Sequence, residues 1–318
     1  MYTIRRFKPS DAEYERVVAI HNAVWTDDPT TVESWRFHDE MRNRAFLSQR
    51  FVVENGRQIV AYGGCWEEPW THVPGKYGVD CEVHPDHKDR GLETLLFDHT
   101  FDFLQARDPA PCKLTAYTRE DKGERIRFLQ ARGFKQTMRC PVSQLDVTDY
   151  DFARFDGLPE TVQAAGIEIV TLPDWQKRDV DWMQKLYDAS NEIEADIPSP
   201  DPFTPQPIEQ FQKLFHSPDF CAEAWFIALD AGRPVGLSNL WCNRATPDKL
   251  FVGLTGVVRS HRRRGIATAL KLRTIDFTQR HGARHIETDN EENNPMYDLN
   301  VKLGFRPKPA WLDFVKTL

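Results

Sequence analysis

Along the chain, short apolar runs of strand type alternate with longer segments whose apolar residues recur every three or four positions. In the second half, Phe251 to Val258 reads as a strand that continues back to Lys249. Ile266 to about His281 reads as a helix stopped by Gly282. Arg284 to Asp289 then reads as a short strand, and Asn293-Asn294-Pro295-Met296 opens a helix ending in Lys302-Leu303-Gly304-Phe305. Upstream of these, Ile167 to Thr171, Trp225 to Leu229 and Arg233 to Trp241 carry the strand pattern.

The first half repeats this order. Tyr2 to Phe7, Phe51 to Glu54, Gln58 to Trp66 and Val79 to Pro85 read as strands, followed by a helix through Leu104, a strand from Lys113 to Thr118 and a further helix before Gly133-Phe134. Gly91 matches Gly265 at an offset of 174, and Gly133 matches Gly304 at 171. Such near-constant spacing predicts one fold used twice. Asp146 to Ala165 has no sustained period and is the expected connector, with Leu158-Pro159-Glu160 able to start a helical turn. The expected division is residues 1–145, a connector over 146–165, and residues 166–318.

Between the strand and helix at 251–281 lies Arg259-Ser260-His261-Arg262-Arg263-Arg264-Gly265-Ile266-Ala267-Thr268. Unpaired N–H groups at a helix start, beside fixed positive charge, suit a di- or polyanion. Small residues at 265 and 267 let the main chain approach that anion closely. Three readings compete: a solvated arginine cluster, a nucleic-acid contact, and a pyrophosphate cradle. The net charge of −7 and the lack of interleaved aromatics weigh against nucleic acid. No Gly-Lys-Ser/Thr follows, and there is no Gly-x-Gly-x-x-Gly, so neither a P-loop nor a dinucleotide fold is indicated.

The order Arg-x-x-Gly-x-Ala after a strand, then an Asn-led helix ending in Leu-Gly-Phe about forty residues on, resembles the GCN5-related N-acetyltransferase (GNAT) superfamily. The resemblance implies an α/β (α+β) chain of two tandem GNAT folds, each with a mixed, mostly antiparallel sheet flanked by helices. It further implies that Arg262, Arg263, Arg264, Gly265, Ile266, Ala267 and Thr268 hold the pyrophosphate of acetyl-CoA. Val257 and Val258 would pair with its pantetheine arm, and Asn293 or Asn294 would hydrogen-bond that arm; an ordinary helix cap before Pro295 accounts for the asparagines equally well.

The family's tyrosine acid stands four residues before the Gly of Leu-Gly-Phe, where this chain has Asn300. Asn300 can donate a hydrogen bond to sulfur but cannot deliver a proton. Tyr297, one turn earlier, is the candidate substitute, against a plain packing role. The strand at 249–258 has no acidic residue, so candidate bases are Glu287 and Asp289 on the next strand and Glu192, Glu194 and Asp196 at the end of an earlier helix. The first half has Glu93 where the pattern asks for Gly or Ala, and Leu129 at the acid position, so the N-terminal copy is expected not to bind CoA. A Pro-rich loop, Ile197 to Pro207, is expected to wall the acceptor site.

At 318 residues, 40% apolar and 28% charged, the chain is an ordinary globular composition for two domains. The N-terminus lacks the apolar core of a signal peptide, and no run of about twenty apolar residues is present. Six scattered cysteines without metal spacing fit buried thiols of a cytoplasmic protein. The expected activity is therefore an acyl-CoA-dependent, most simply acetyl-CoA-dependent, N-acyltransferase. It would act on a small-molecule amine through the C-terminal domain, without a metal, nucleic acid or membrane partner. The alternative is a non-catalytic CoA-binding sensor or scaffold. Oligomeric state does not follow from the sequence.

Overall fold

The computed structural model describes residues 1–318. Its contacts divide the chain into two units, Met1–Arg139 with Pro200–Thr204 and Trp311–Leu318, and Cys140–Ser199 with Pro205–Ala310.

The first unit runs β1 (Tyr2–Arg6), α1 (Asp11–Val24), α2 (Val32–Met41), β2 (Ser48–Asn55), β3 (Gln58–Trp66), β4 (Lys76–Val83), α3 (Leu92–Gln105), β5 (Lys113–Arg119) and α4 (Gly123–Ala131). Ser10 and Thr31 accept hydrogen bonds from the first turns of α1 and α2, which fixes where both helices begin. Strands β1 to β4 pair antiparallel in sequence order, and β5 joins β4 in parallel. Alternation along β2 decides which helix covers which face. Val52 packs with Val17 and Ile20 of α1, whereas Phe51 and Val53 pack with Leu92 and Leu96 of α3.

Strand β6 (Lys135–Asp146) leads through α5 (Leu158–Ala164) into the second unit. There β7 (Ile167–Thr171), α6 (Leu172–Gln176), α7 (Trp182–Glu194), α8 (Ile208–Lys213), β8 (Phe220–Asp230), β9 (Arg233–Trp241), β10 (Lys249–Val257), α9 (Ile266–His281), β11 (His285–Asp289) and α10 (Pro295–Lys302) repeat the plan. Strands β7 to β10 are antiparallel neighbours, and β11 joins β10 in parallel. Adjacent residues of β8 again point to opposite faces: Phe226 meets Phe277 of α9, while Trp225 packs against Phe215 after α8.

The final strands do not follow the expected division at 145 and 166. Val142–Asp146 of β6 pair antiparallel with β11 in the second unit. The last strand, β12 (Arg306–Thr317), lays Trp311–Thr317 antiparallel on β5 of the first. Each sheet is thus completed by the strand that ends the other half of the chain. Periodicity cannot reveal this, because a strand has the same pattern whichever edge it joins. The Pro-rich loop, Ile197 to Pro207, is divided between the two units. Its Pro200–Thr204 segment belongs to the first unit, where Asp201 pairs with the buried Lys76 and Phe203 stacks on Trp70.

Candidate active site

Strand β10 ends in a single 3-10 turn, Arg259–His261, and the chain then reaches α9 through two left-handed residues, Arg263 (φ 63°) and Gly265 (φ 79°). Gly265 is the N-cap and has no side chain to satisfy the first turn, so α9 starts with open N–H groups at Ile266, Ala267 and Thr268. A Cβ at 265 would also lie 2.8 Å from Leu158 Cδ1 of α5. Glycine is therefore required twice over, by conformation and by space. The resulting helix end of α9, with Ala267 in its first turn, forms a cradle whose open N–H groups and small side chains suit an anion.

The arginines divide into two pairs. Arg259 Nε donates to both Asp196 oxygens at 2.9 Å, and Arg262 Nη2 reaches the same carboxylate. Arg259 and then Arg262 hold the Asp196 carboxyl below its ordinary range. These two side chains clamp the loop to the end of α7, while Arg263 and Arg264 are exposed. His261 is likewise tied down, its Nε2 lying 2.9 Å from Asp230 Oδ2.

Beside the cradle, β10 and β11 part. They pair only through Lys249–Phe251 and His285–Glu287, and the register of β10 against β9 then shifts between Val252 and Thr255. Asn239 Oδ1 accepts from Leu254 N at 2.7 Å and fixes this bulge. Side chains from the neighbouring elements crowd Gly253 and Gly256: a Cβ at 253 would strike Trp241, and one at 256 would strike Ile193 of α7. The edge released from β11 is Val252–Gly256. Expected pairing at Val257 and Val258 meets a different arrangement, because Arg262 Nε already donates to Val257 O at 2.9 Å and both valine side chains are buried. The two strand glycines were the overlooked signal, since glycine inside a strand marks a bulge or a close approach.

The contact of Ile193 with Gly256 and the Asp196 clamp bring the end of α7 along β10, with Glu194 between them. Burial pushes the Glu194 carboxyl up to about 7. Desolvation raises the Asp289 carboxyl as well. Glu287 is placed differently from a base: its carboxylate lies 2.6 Å from Lys308 Nζ and 3.6 Å from Lys249 Nζ. Both ammonium groups reach the same oxygen, Oε2, so this acid stands in an ion-pair cluster with two cations.

On α10, Asn294 caps the helix by accepting from Met296 N at 3.0 Å, and Asn293 Nδ2 donates to Glu291 at 2.7 Å. Asn300 is fully buried; its Nδ2 donates to Asn290 Oδ1 at 2.6 Å, and its own Oδ1 has no partner. Tyr297 is half-buried on the same helix. The cradle geometry recurs in the first unit, with Asp89 at φ 60° and Gly91 at φ 72° before α3. Its chemistry is reversed, with Asp89 in the place of Arg263 and Glu93 in the place of Ala267. No cluster of three or more His, Cys, Asp or Glu side chains is arranged to hold a metal ion, and no helix is long and apolar enough to cross a membrane.

The profile of the acetyltransferase (GNAT) family matches twice, over residues 14–134 and 185–305. Among solved structures, a tandem GNAT protein from the clavulanic acid biosynthesis pathway superposes with a TM-score of 0.76 at 19% identity, covering 100% of this chain and 98% of that one. A GCN5-related N-acetyltransferase from Sphaerobacter thermophilus gives 0.71 at 19% identity, covering 99% and 95%. A glucosamine N-acetyltransferase region of a fungal multi-domain β-N-acetylglucosaminidase gives 0.70 at 14% identity, covering 99% of this chain and 38% of that protein. At these identities the likeness is one of fold. No curated protein sequence matches the chain.

Proposed function

The chain belongs to the acetyltransferase (GNAT) family as a tandem of two such folds, and from that footing we propose that its second unit transfers an acetyl group from acetyl-CoA to a small-molecule amine. The observation that carries this reading is the contrast between the two cradles. Both have the left-handed turn and the glycine cap, but only the second combines Arg263 and Arg264 with a small residue, Ala267, in the first helical turn. A diphosphate there would accept from the N–H groups of Ile266, Ala267 and Thr268. Exposed Arg263 and Arg264 would add attraction and speed encounter. From the cradle, the arm would extend along the free edge Val252–Gly256.

Amide formation needs a neutral amine, a polarised carbonyl and a leaving thiolate. The amine nitrogen bonds to the thioester carbon, the C–S bond breaks, and the nitrogen loses a proton. Glu194 is the residue best suited to take that proton. A carboxylate with affinity near neutrality is ionised often enough to act and basic enough to accept. Main-chain N–H groups at the β10 bulge are the candidate donors to the oxyanion. The buried amide of Asn300 cannot protonate sulfur, and a thiolate with an ordinary pKa of about 8.5 departs without a dedicated acid. Acidic groups at Glu192 and Glu194, with Asp289 on β11, favour a cationic acceptor.

The test is calorimetric titration with acetyl-CoA, followed by thiol release across a panel of amines. One site per chain with amine-dependent release supports the reading. Binding without release for any amine would favour a CoA-binding sensor, and no binding would refute the assignment of the cradle.

A further inference from the structure

In the first unit, β4 and β5 part as β10 and β11 do. They pair only through Lys76–Gly78 and Lys113–Thr115, leaving Val79–Val83 with an edge that β5 does not cover. That edge is already occupied. Arg125, in the first turn of α4, donates from Nη1 to Cys81 O at 2.8 Å and to Glu82 Oε1 at 2.7 Å, and its Nη2 reaches Asp80. The Cys81 N–H donates to Asp80 Oδ1 at 2.8 Å. Both peptide groups that Cys81 turns to the open edge are thus satisfied from within the unit. Trp25 Nε1 adds a bond of 3.1 Å to Glu82.

The guanidinium is well built into this position. Its side chain is 18% exposed and that of Glu82 is 5% exposed. Burial opposes the charge on Arg125, but Glu82 and Asp80 outweigh it and keep the group protonated. Removing one partner of such a pair would strand a buried charge, so the cluster resists opening. Beyond it lies a cavity of about 530 Å³ lined by Glu82, Asp89, Glu93, Lys122 and Arg125 among others. In the second unit, the corresponding stretch of β10 carries Gly253 to Val257, with no acidic residue to recruit such an arginine.

We propose that Arg125 is a built-in occupant of the first unit's acyl-donor groove, standing where a pantetheine amide would hydrogen-bond to β4 and so closing that groove to acyl-CoA. Glu93 repels a diphosphate at the mouth, while Arg125 fills the arm slot behind it. The proposal rests on the functional reading only for the identity of the ligand, and its test separates the two.

The second unit is first silenced with Arg263→Glu, Arg264→Glu and Ala267→Glu together, and acetyl-CoA is titrated by calorimetry. With Arg125 intact, no site is expected. Adding Arg125→Ala, Glu82→Gln and Glu93→Ala together removes the occupant and the buried Glu82 charge, leaving only the part-exposed Asp80 carboxylate, which still accepts from Cys81 N, and one site per chain should appear. Binding in the silenced chain at the first unit would overturn the proposal, as would a folded combined variant that stays empty. Should the combined variant fail to fold, hydrogen exchange on the unaltered chain gives the answer. Saturating acetyl-CoA should leave exchange at Val79–Val83 unchanged, and added protection there would refute the idea. Loss of all binding in the unaltered chain, by contrast, sinks the functional reading while the combined variant still reports on the groove.

Discussion

Ala267→Glu gives the second unit the residue that the first carries at the same place. Ala267 is the second residue of α9, half-buried beside an uncapped helix end. With a rise of about 1.5 Å per residue, a carboxylate there would sit roughly 5–7 Å from a diphosphate held on the first-turn N–H groups. One like-charge pair at about 6 Å costs about 1–3 kcal/mol for an effective dielectric between water and protein surface. That corresponds to roughly 5- to 150-fold weaker binding of acetyl-CoA. Folding should not suffer, because an acidic residue in the first turn gains about 0.3–1 kcal/mol from the helix dipole. Calorimetry and a melting curve on the same sample would read both quantities, and raising salt should shrink the binding loss as the repulsion is screened. Unchanged affinity in a folded variant would refute the cradle assignment. Gly265→Glu is a poorer probe. Its left-handed φ costs about 1–2 kcal/mol for any side chain, and contact with Leu158 adds to this, so lost binding would be confounded with lost stability.

Three further expectations follow from the same geometry. Glu194→Gln should cut kcat/KM by roughly 10²–10⁴ and abolish the limb that rises with pH through about 7, since only the ionised carboxylate accepts a proton. Because burial raises this carboxyl above its unfolded value, wild-type stability falls as pH rises from about 4.3 toward about 7. The glutamine variant should therefore melt higher than wild type at pH 8 and equally at acidic pH; an unaltered pH–rate profile would exclude Glu194 as the base. Glu287→Gln should leave kcat within a few-fold but destabilise by about 3 kcal/mol, because it removes the carboxylate charge that Lys249 and Lys308 share; a collapse of activity in a stable variant would reinstate it as a catalytic group. Gly256→Ala should push Ile193 from β10 and lower stability by about 1–3 kcal/mol, with acetyl-CoA affinity also falling; a neutral melting curve would mean α7 does not pack as described.

Residues of the site differ in how legible they were before folding. Gly265 and Ala267 were readable because a glycine cap followed by a small first-turn residue, placed after a strand, suits a helix start that something approaches closely. Asn294 suited two roles, helix cap and ligand donor, and its bond to Met296 N is that of a cap. Arg262 was readable as positive charge, but its pairing with Asp196 depends on a partner 66 residues away. Glu194 and Glu287 looked alike as isolated acids. Desolvation with no neighbouring cation sets the first apart from the second, a buried acid that two lysines hold.

The sequence by itself determined the repeated fold, the order of its strands and helices, and the local chemistry of each cradle. These depend on periodicity, on glycine and on charges within one turn of each other, all of which are properties of neighbouring residues. Tertiary structure alone decided which strand completes which sheet, where β10 bulges, which arginines are clamped and which acid is held by cations. It also brought Arg125 onto Cys81 and Glu82, more than forty residues upstream. Desolvation and pairing act between groups distant in the chain, so they have no local pattern to read.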